Sequence, residues 1–229
     1  MGDFVQYKLE DDLAIIQLND GKANALGLDM IAALNAALDK AENEAKAIIV
    51  TGRPGVLSAG FDLKVMKSGP ENTVKMVSSG AKLLARILGL GMPVIVASSG
   101  HALAAGALLT LTGDYRIGVE GDFKYGLNET AIGMTMPNFG IDLAIHRMGA
   151  HKLSHTILMA EIYDPADAAQ IGYLDATFPA DKLMDAAREK AQALMALDPK
   201  AYRNTKRKLR KSTVDKILNE LDSDDLKIG

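Results

Sequence analysis

Glu129 stands in Tyr125-Gly-Leu-Asn-Glu-Thr-Ala-Ile-Gly-Met-Thr-Met-Pro137, a run that is otherwise largely apolar or small. A carboxyl group held in apolar surroundings has its pKa raised and becomes a useful base near neutral pH. On residue type alone, a Glu on a solvent-facing loop is the commoner case. Two other segments argue for chemistry. Arg53-Pro-Gly-Val-Leu-Ser-Ala-Gly-Phe-Asp-Leu63 follows a buried-strand candidate, where open α/β sheets carry their ligand loops. Its small residues Ser58, Ala59 and Gly60 let a ligand reach the main chain, where a free N–H can hold an oxyanion. Gly100-His-Ala-Leu-Ala-Ala-Gly-Ala107 also follows a strand and opens a helix. The first N–H groups of a helix have no internal partner, so an anion or developing enolate fits there. A plain connecting loop and close helix packing are the alternatives for these two segments.

Other chemistries find less support. There is no Gly-x-Gly-x-x-Gly and no phosphate-loop Lys-Ser/Thr, so nucleotide phosphate binding is not supported. The four histidines, His101, His146, His151 and His155, lack the metalloprotease pattern. His151 and His155 are four apart and can share a helix face, but two ligands make weak evidence, and no metal is expected. His101 reads as a structural or surface histidine rather than a base. The absence of cysteine removes thiol nucleophiles, thiolate zinc sites and iron–sulfur clusters, and fits a reducing compartment. Lys200, Arg203, Lys206, Arg207, Lys208, Arg210 and Lys211 form a basic stretch with Tyr202 as its one aromatic residue. With a net charge of -3, nucleic-acid binding is not expected. The stretch reads as a solvated or interface helix, balanced by Glu220, Asp222, Asp224 and Asp225. A third reading has some of these cations meeting a polyphosphate ligand. No apolar run is long enough to span a membrane, and Met1-Gly2-Asp3-Phe4 does not look like a signal peptide. A soluble, cytoplasmic protein is expected.

The elements that must position these residues follow from periodicity. The 229 residues suggest one large domain or one domain with an appendage. Phe4 to Leu9 and Leu13 to Leu18 read as strands, and Leu28 to Glu44 as an amphipathic helix. Lys46 to Thr51, Pro93 to Ala97 and Tyr115 to Val119 read as further strands. Residues 52–60 read as a loop, Thr73 to Leu90 as a helix, 98–100 as a turn and Ala102 to Thr112 as a helix. After about Gly140 the pattern is helical: Ile141 to Met148, Lys152 to Ala160, Pro165 to Ile171, Asp181 to Leu197 and Pro199 to Leu221. Alternating strands and helices argue for an α/β fold with a mainly parallel sheet. No internal sequence repeat stands out. Gly is abundant, at 21 of 229 residues, and aromatics are 5%, so backbone is expected to pack close to backbone or to ligand.

These segments, in this order, resemble the crotonase superfamily, the enoyl-CoA hydratase/isomerase family. The likeness runs from about Val5 to the C-terminal helix. Gly113-Asp114-Tyr115-Arg116-Ile117 and Gly126-Leu-Asn-Glu-Thr130 are most similar to the Δ3,Δ2-enoyl-CoA isomerase branch. The resemblance implies a spiral of ββα units with a C-terminal helical region, a core over 1–195 and that region over 196–229. It implies homotrimers or hexamers, an acyl-CoA thioester substrate and no separate cofactor. It also implies roles. The N–H groups of Phe61 and Ala105 would form the oxyanion hole, and Glu129 would be the acid/base. Lys22-Ala23-Asn24-Ala25-Leu26 would hold the CoA moiety, with Lys22, Ala23 and Ala25 in contact. Ala59, Gly60, Asp62, Leu63 and Leu108 would line the substrate site, and Met66, Met76 and Leu83 are guesses for the acyl wall.

Two departures from the family pattern matter. Ala105 stands where Gly is usual, which preserves the N–H provided the backbone there does not need positive φ. Leu108 stands where the family's hydratases carry a second Glu. One carboxylate can still move a proton from C2 to C4, whereas water addition loses one of its two holders. Isomerisation is therefore the expected activity. Hydration and non-catalytic acyl-CoA binding are the rivals.

Overall fold

The computed structural model describes residues 4–221. A six-stranded sheet forms the frame: β1 (Val5–Glu10), β2 (Leu13–Leu18), β3 (Ala47–Thr51), β5 (Val94–Ser98), β7 (Tyr115–Val119) and β9 (Ala176–Phe178). They lie in that order, with β1 and β2 antiparallel and every other pairing parallel. The two central strands, Ala-Ile-Ile-Val-Thr and Val-Ile-Val-Ala-Ser, are buried along their whole length. Continuous apolar runs of this kind mark parallel strands covered on both faces. Ile48, Val50, Val94 and Val96 face the main core with α1 (Leu28–Glu44) and α3 (Pro70–Gly89). Ile49, Ile95, Ala97 and Ile117 face α7 (Leu183–Met195).

A second sheet was not legible in the sequence. β4 (Gly55–Ser58), β6 (Gly100–Leu103) and β8 (Tyr125–Gly126) pair in parallel. β3 leads into β4 and then α2 (Leu63–Lys67) and α3. β5 leads into β6 and α4 (Ala105–Leu111), and β7 leads into β8. The chain thus builds ββα units, as the resemblance implied. The expected loop at 52–60 contains β4, and the expected turn and helix over 98–112 contain β6. Ala102 and Ala104 have strong helix propensity, yet their N–H groups donate to Lys124 O and Gly126 O, each at 2.9 Å. Tertiary pairing overrides propensity, and the helix starts only at Ala105.

Beyond β8 come α5 (Asn138–Met148), α6 (Pro165–Ile171), α7 and α8 (Pro199–Glu220). The helix expected over 152–160 is instead a 3-10 turn, Ala150–Lys152, and a π turn, Ser154–Leu158. His151 and His155 therefore do not share one regular helix face, and His155 pairs with Glu161. Helix α8 lies along α3 and α5. Its basic stretch is not uniformly solvated. Lys206 and Arg210 are buried and grip Asp114, at 2.7 and 2.8 Å. Burial pushes the Lys206 ammonium down to about 8, although Asp114 acts to raise it. Those two cations are held by Asp114 inside the protein, at the wall of a cleft of about 540 Å³ that Arg147 and Tyr202 also line and that contains none of the expected site residues. Asp222, Asp224 and Asp225 lie outside the described residues.

Candidate active site

Glu129 follows β8 and begins a turn that its own main chain closes. Its carbonyl accepts from Ile132 N at 3.1 Å and from Met134 N at 2.9 Å. Thr130 Oγ1 donates to Ile157 O and ties the turn to the π segment. The side chain is buried, at 6% exposure, and its Oε2 has no hydrogen-bond partner among the described residues. Burial pushes its carboxyl up to about 7, only partly offset by a hydrogen bond from its own backbone. A raised pKa of this origin is what a base working near neutrality needs.

Glu129 lines a cavity of about 180 Å³ with Ala59, Phe61, Leu63, Met66, Leu103, Ala104, Leu108, Asn128 and Phe139 among its walls. Among those wall residues it is the one ionisable group. Leu108, on α4, is buried and faces the same space. Phe61 is seated because Gly80 leaves room on α3: a Cβ at Gly80 would lie 2.3 Å from the Phe61 ring.

The two small-residue loops meet. Gly60 has φ +100°, and a Cβ there would lie 2.8 Å from Ala104 Cβ and 3.3 Å from Ala105 N. A Cβ at Gly106 would lie 2.1 Å from Ser58 O. Only glycine permits this approach. Neither the Phe61 N–H nor the Ala105 N–H donates to another protein group among the described residues. Ala105 is the first residue of α4, where an N–H has no intrahelical partner. The positive φ falls one residue earlier, on Ala104 at φ 50°, ψ -125°.

The segment from Lys22 to Leu26 supports the first loop. Ala59 N donates to Ala23 O at 3.0 Å, and Leu26 N to Gly60 O at 2.8 Å. Asn24, fully buried, ties Leu18 O and Leu57 O together through Nδ2, and Ser58 Oγ donates to Asn24 O at 2.7 Å. Lys22, Ala23, Ala59, Arg53, His101, Leu103 and Lys124 line a cleft of about 600 Å³. Ala59 and Leu103 belong to both cavities, so cleft and pocket adjoin. His101 Nδ1 accepts from Lys124 N at 3.0 Å, so a neutral ring carries its proton on Nε2.

The structure brings Glu129, Phe61, Ala59, Leu63, Leu108 and Met66 together, with Ala105 and Gly60 in the adjoining backbone. Other expected contacts fall elsewhere. Met76 and Leu83 are buried in the core on the inner side of α3 and do not reach the cavity. Asp62 caps α2 by accepting from Lys64 N at 2.8 Å, and Ala25 lines neither space. Asn128, Ile132, Phe139, Arg53 and Lys124 were not assigned roles from the sequence. Asn128 and Arg53 lie inside the quoted motifs, whereas Lys124 joins them only through the pairing of β6 with β8. A larger cavity, about 860 Å³, lies between β1, β2 and α7 and contains none of the expected site residues. Among the described residues no group of three or more acidic or histidine side chains is placed to hold a metal.

Comparison with known proteins agrees with this fold. The enoyl-CoA hydratase/isomerase family model matches residues 8–226. The crystal structure of an enoyl-CoA hydratase/isomerase family protein from Pseudomonas syringae superposes with a TM-score of 0.95 at 44% identity, covering 97% of this chain and 96% of that one. Enoyl-CoA delta isomerase 1, mitochondrial, of Mus musculus is 27% identical over 217 residues, 93% of this chain and 75% of the relative. The short-chain-enoyl-CoA hydratase of Clostridium acetobutylicum is 30% identical over 206 residues, 86% of this chain and 77% of the relative. A spiral of ββα units, two glycine-shaped loops meeting beside one buried carboxyl, and a family match over nearly the whole chain converge: this protein belongs to the enoyl-CoA hydratase/isomerase family.

Proposed function

We propose that this chain isomerises 3-enoyl-CoA to 2-enoyl-CoA. The observation that carries the reading is the cavity wall, where Glu129 faces Leu108 and no second carboxylate is among the lining residues. The thioester oxygen sits between the N–H groups of Phe61 and Ala105. Glu129 takes the proton from C2, and the electron pair delocalises over the dienolate and the thioester oxygen. Glu129 then returns the proton at C4, and the double bond moves from C3–C4 to C2–C3. The two N–H donors act on charge that grows only as C2 is deprotonated, so they lower the barrier and not merely the ground state. One donor of this kind contributes about 3 kcal/mol. Lys22, Arg53, His101 and Lys124 form the polar side of the adjoining cleft and suit the phosphates of CoA. The acyl chain lies against Met66, Leu63 and Phe139. No cofactor beyond the substrate's own CoA enters this scheme, because the thioester is the electron sink.

The test follows formation of the conjugated thioester from 3-enoyl-CoA. Glu129→Gln is expected to lower turnover by about 100-fold or more. Unchanged turnover would remove Glu129 from the mechanism. Hydration is the second reading, and the Clostridium hydratase at 30% identity supports it. Appearance of 3-hydroxyacyl-CoA from 2-enoyl-CoA distinguishes it. Tight acyl-CoA binding without turnover on either substrate would instead favour a binding protein.

A further inference from the structure

Three cations converge on the turn that follows α4, outside the Glu129 cavity. Arg210 donates through Nη1 to Thr112 O at 3.2 Å, and Arg147 through Nη2 to Gly113 O at 2.8 Å. Lys206 and Arg210 both grip the Asp114 carboxylate, and Lys206 also donates to Met92 O at 2.9 Å. The carbonyls satisfy N–H groups but bring no net charge. Arg147 Nε and Arg210 Nε are buried and have no hydrogen-bond partner among the described residues. Burial, with Arg116 and Arg210 nearby, pushes the Arg147 guanidinium down to about 10. The neighbouring Asp175 is already committed to Arg116.

These cations line the cleft of about 540 Å³, a size that suits a small organic ligand. Its charged lining is Arg147, Lys206 and Arg210 against Asp114 and Asp198, an excess of one positive charge. Asp198 is exposed and is engaged as the N-cap of α8, accepting from Ala201 N at 2.6 Å. Buried positive charge without a counter-charge is costly, so it attracts an anion. The other walls are largely apolar. The Tyr202 ring lies 6.0 Å from Lys206 Nζ, and Leu197 and Leu209 stand at the sides. Those two leucines are 50% and 65% exposed, whereas Lys206 and Arg210 are 5% and 4% exposed. An apolar rim thus stands over a cationic floor. The cleft shares no lining residue with the Glu129 cavity or with the cleft beside Lys22.

We propose that this cleft binds a small carboxylic acid, its carboxylate at Arg147 and Lys206 and its apolar body against Tyr202, Leu197 and Leu209. One negative charge balances the excess, whereas a phosphate dianion would reverse its sign. The planar guanidinium of Arg147 suits the two oxygens of a carboxylate. Lys206 Nζ carries a third N–H beyond those given to Met92 O and Asp114. The site lies past the C-terminal end of α4, whereas Ala105 begins that helix. It goes beyond the isomerase reading and does not depend on it.

The test is calorimetric titration of the 229-residue chain with octanoate at pH 7. Saturable binding of one octanoate per chain is expected. Acetate lacks the body, octanol lacks the charge and octyl phosphate carries more of it, and each is expected to bind more weakly. Octanoate binding no tighter than octanol would overturn the proposal, as would tighter binding of octyl phosphate. Arg147→Gln removes the charge at the head, and Leu209→Glu sets a negative charge on the exposed rim. Each is expected to weaken octanoate binding by about tenfold or more. Unchanged affinity in both would overturn the proposal. If Arg147→Gln does not fold, Leu209→Glu decides by itself. Octanoate seated in the Glu129 cavity instead would be displaced by butyryl-CoA, a saturated thioester with no double bond to move, and that displacement also overturns the proposal. A cleft already filled by a second copy of the chain would give no octanoate binding, together with a smaller mass for Leu209→Glu in light scattering. That outcome overturns it as well.

Discussion

At Glu129, burial favours the protonated carboxyl in the folded chain, while the unfolded chain ionises near the ordinary 4.5. The folded pKa of about 7 is the higher of the two, so the stability attached to this group is fully present below about 4.5 and is lost as pH rises through about 7. That difference corresponds to an upper figure of about 3 kcal/mol. Glu129→Gln is therefore expected to be more stable than the parent at pH 8, by up to about 3 kcal/mol, with the gain absent near pH 4. Urea denaturation at the two pH values checks this. The proposed isomerase activity is expected to have the opposite trend, rising through pH 7 as the base ionises, which a pH profile of kcat on 3-enoyl-CoA checks. Ala104 holds a second kind of strain, a non-glycine residue at φ 50°. Ala104→Gly should add about 1 kcal/mol of stability by relieving it. Ala105→Gly, at the first helical position, should bring no gain. Thermal melts of the two variants decide which alanine carries the strain. The departure at Ala105 could be read from the sequence, but its neighbour's φ could not, because φ there depends on how β6 is pulled between β4 and β8.

Helix α8 shows the same limit for an element. Seven basic residues from Lys200 to Lys211 read in sequence as a solvated or interface helix. In the fold Asp114 gathers Lys206, Arg210 and the Val94 N–H, while Lys206 also donates to Met92 O and Arg210 to Leu88 O and Thr112 O. The cluster fastens α8 to the end of α3 and to the chain before β5. Asp114→Ala would leave two buried cations without their carboxylate, and a loss of about 3–5 kcal/mol is expected in chemical denaturation. The cleft beside the first loop is a different kind of cationic feature. Arg53→Ala and Lys124→Ala should each raise KM for CoA thioesters by roughly threefold to tenfold with kcat retained, and added salt should shrink the effect. A pantetheine thioester lacking the nucleotide should show no such dependence in steady-state kinetics.

For the molecule as a whole, α8 packs along α3 and α5 of its own chain, so the C-terminal region is part of the fold and not a separate module. The division into 1–195 and 196–229 stands as a proposal about roles within one body. Assembly into trimers or hexamers is likewise proposed. Leu158 and Met159 on the π segment are 72% and 61% exposed, an apolar surface that a second copy can cover. Light scattering should give a mass of three or six chains of 24.4 kDa each. A monomer at micromolar concentration would overturn it. Among the described residues no helix is long and apolar enough to cross a membrane.

The sequence by itself determined five of the six frame strands almost to the residue, because buried parallel strands and amphipathic helices are written in local periodicity, but it missed the three-residue β9. It also marked Glu129 and the two small-residue loops, since an acid in apolar company and runs of Gly, Ala and Ser are chemical statements in one dimension. Tertiary structure alone decided the second sheet, whose strands of two to four residues are too short to show a period. It decided that Met76 and Leu83 belong to the core and that Lys206 and Arg210 turn inward. Each of these depends on which distant segment a side chain meets, and no local pattern of residues carries that information.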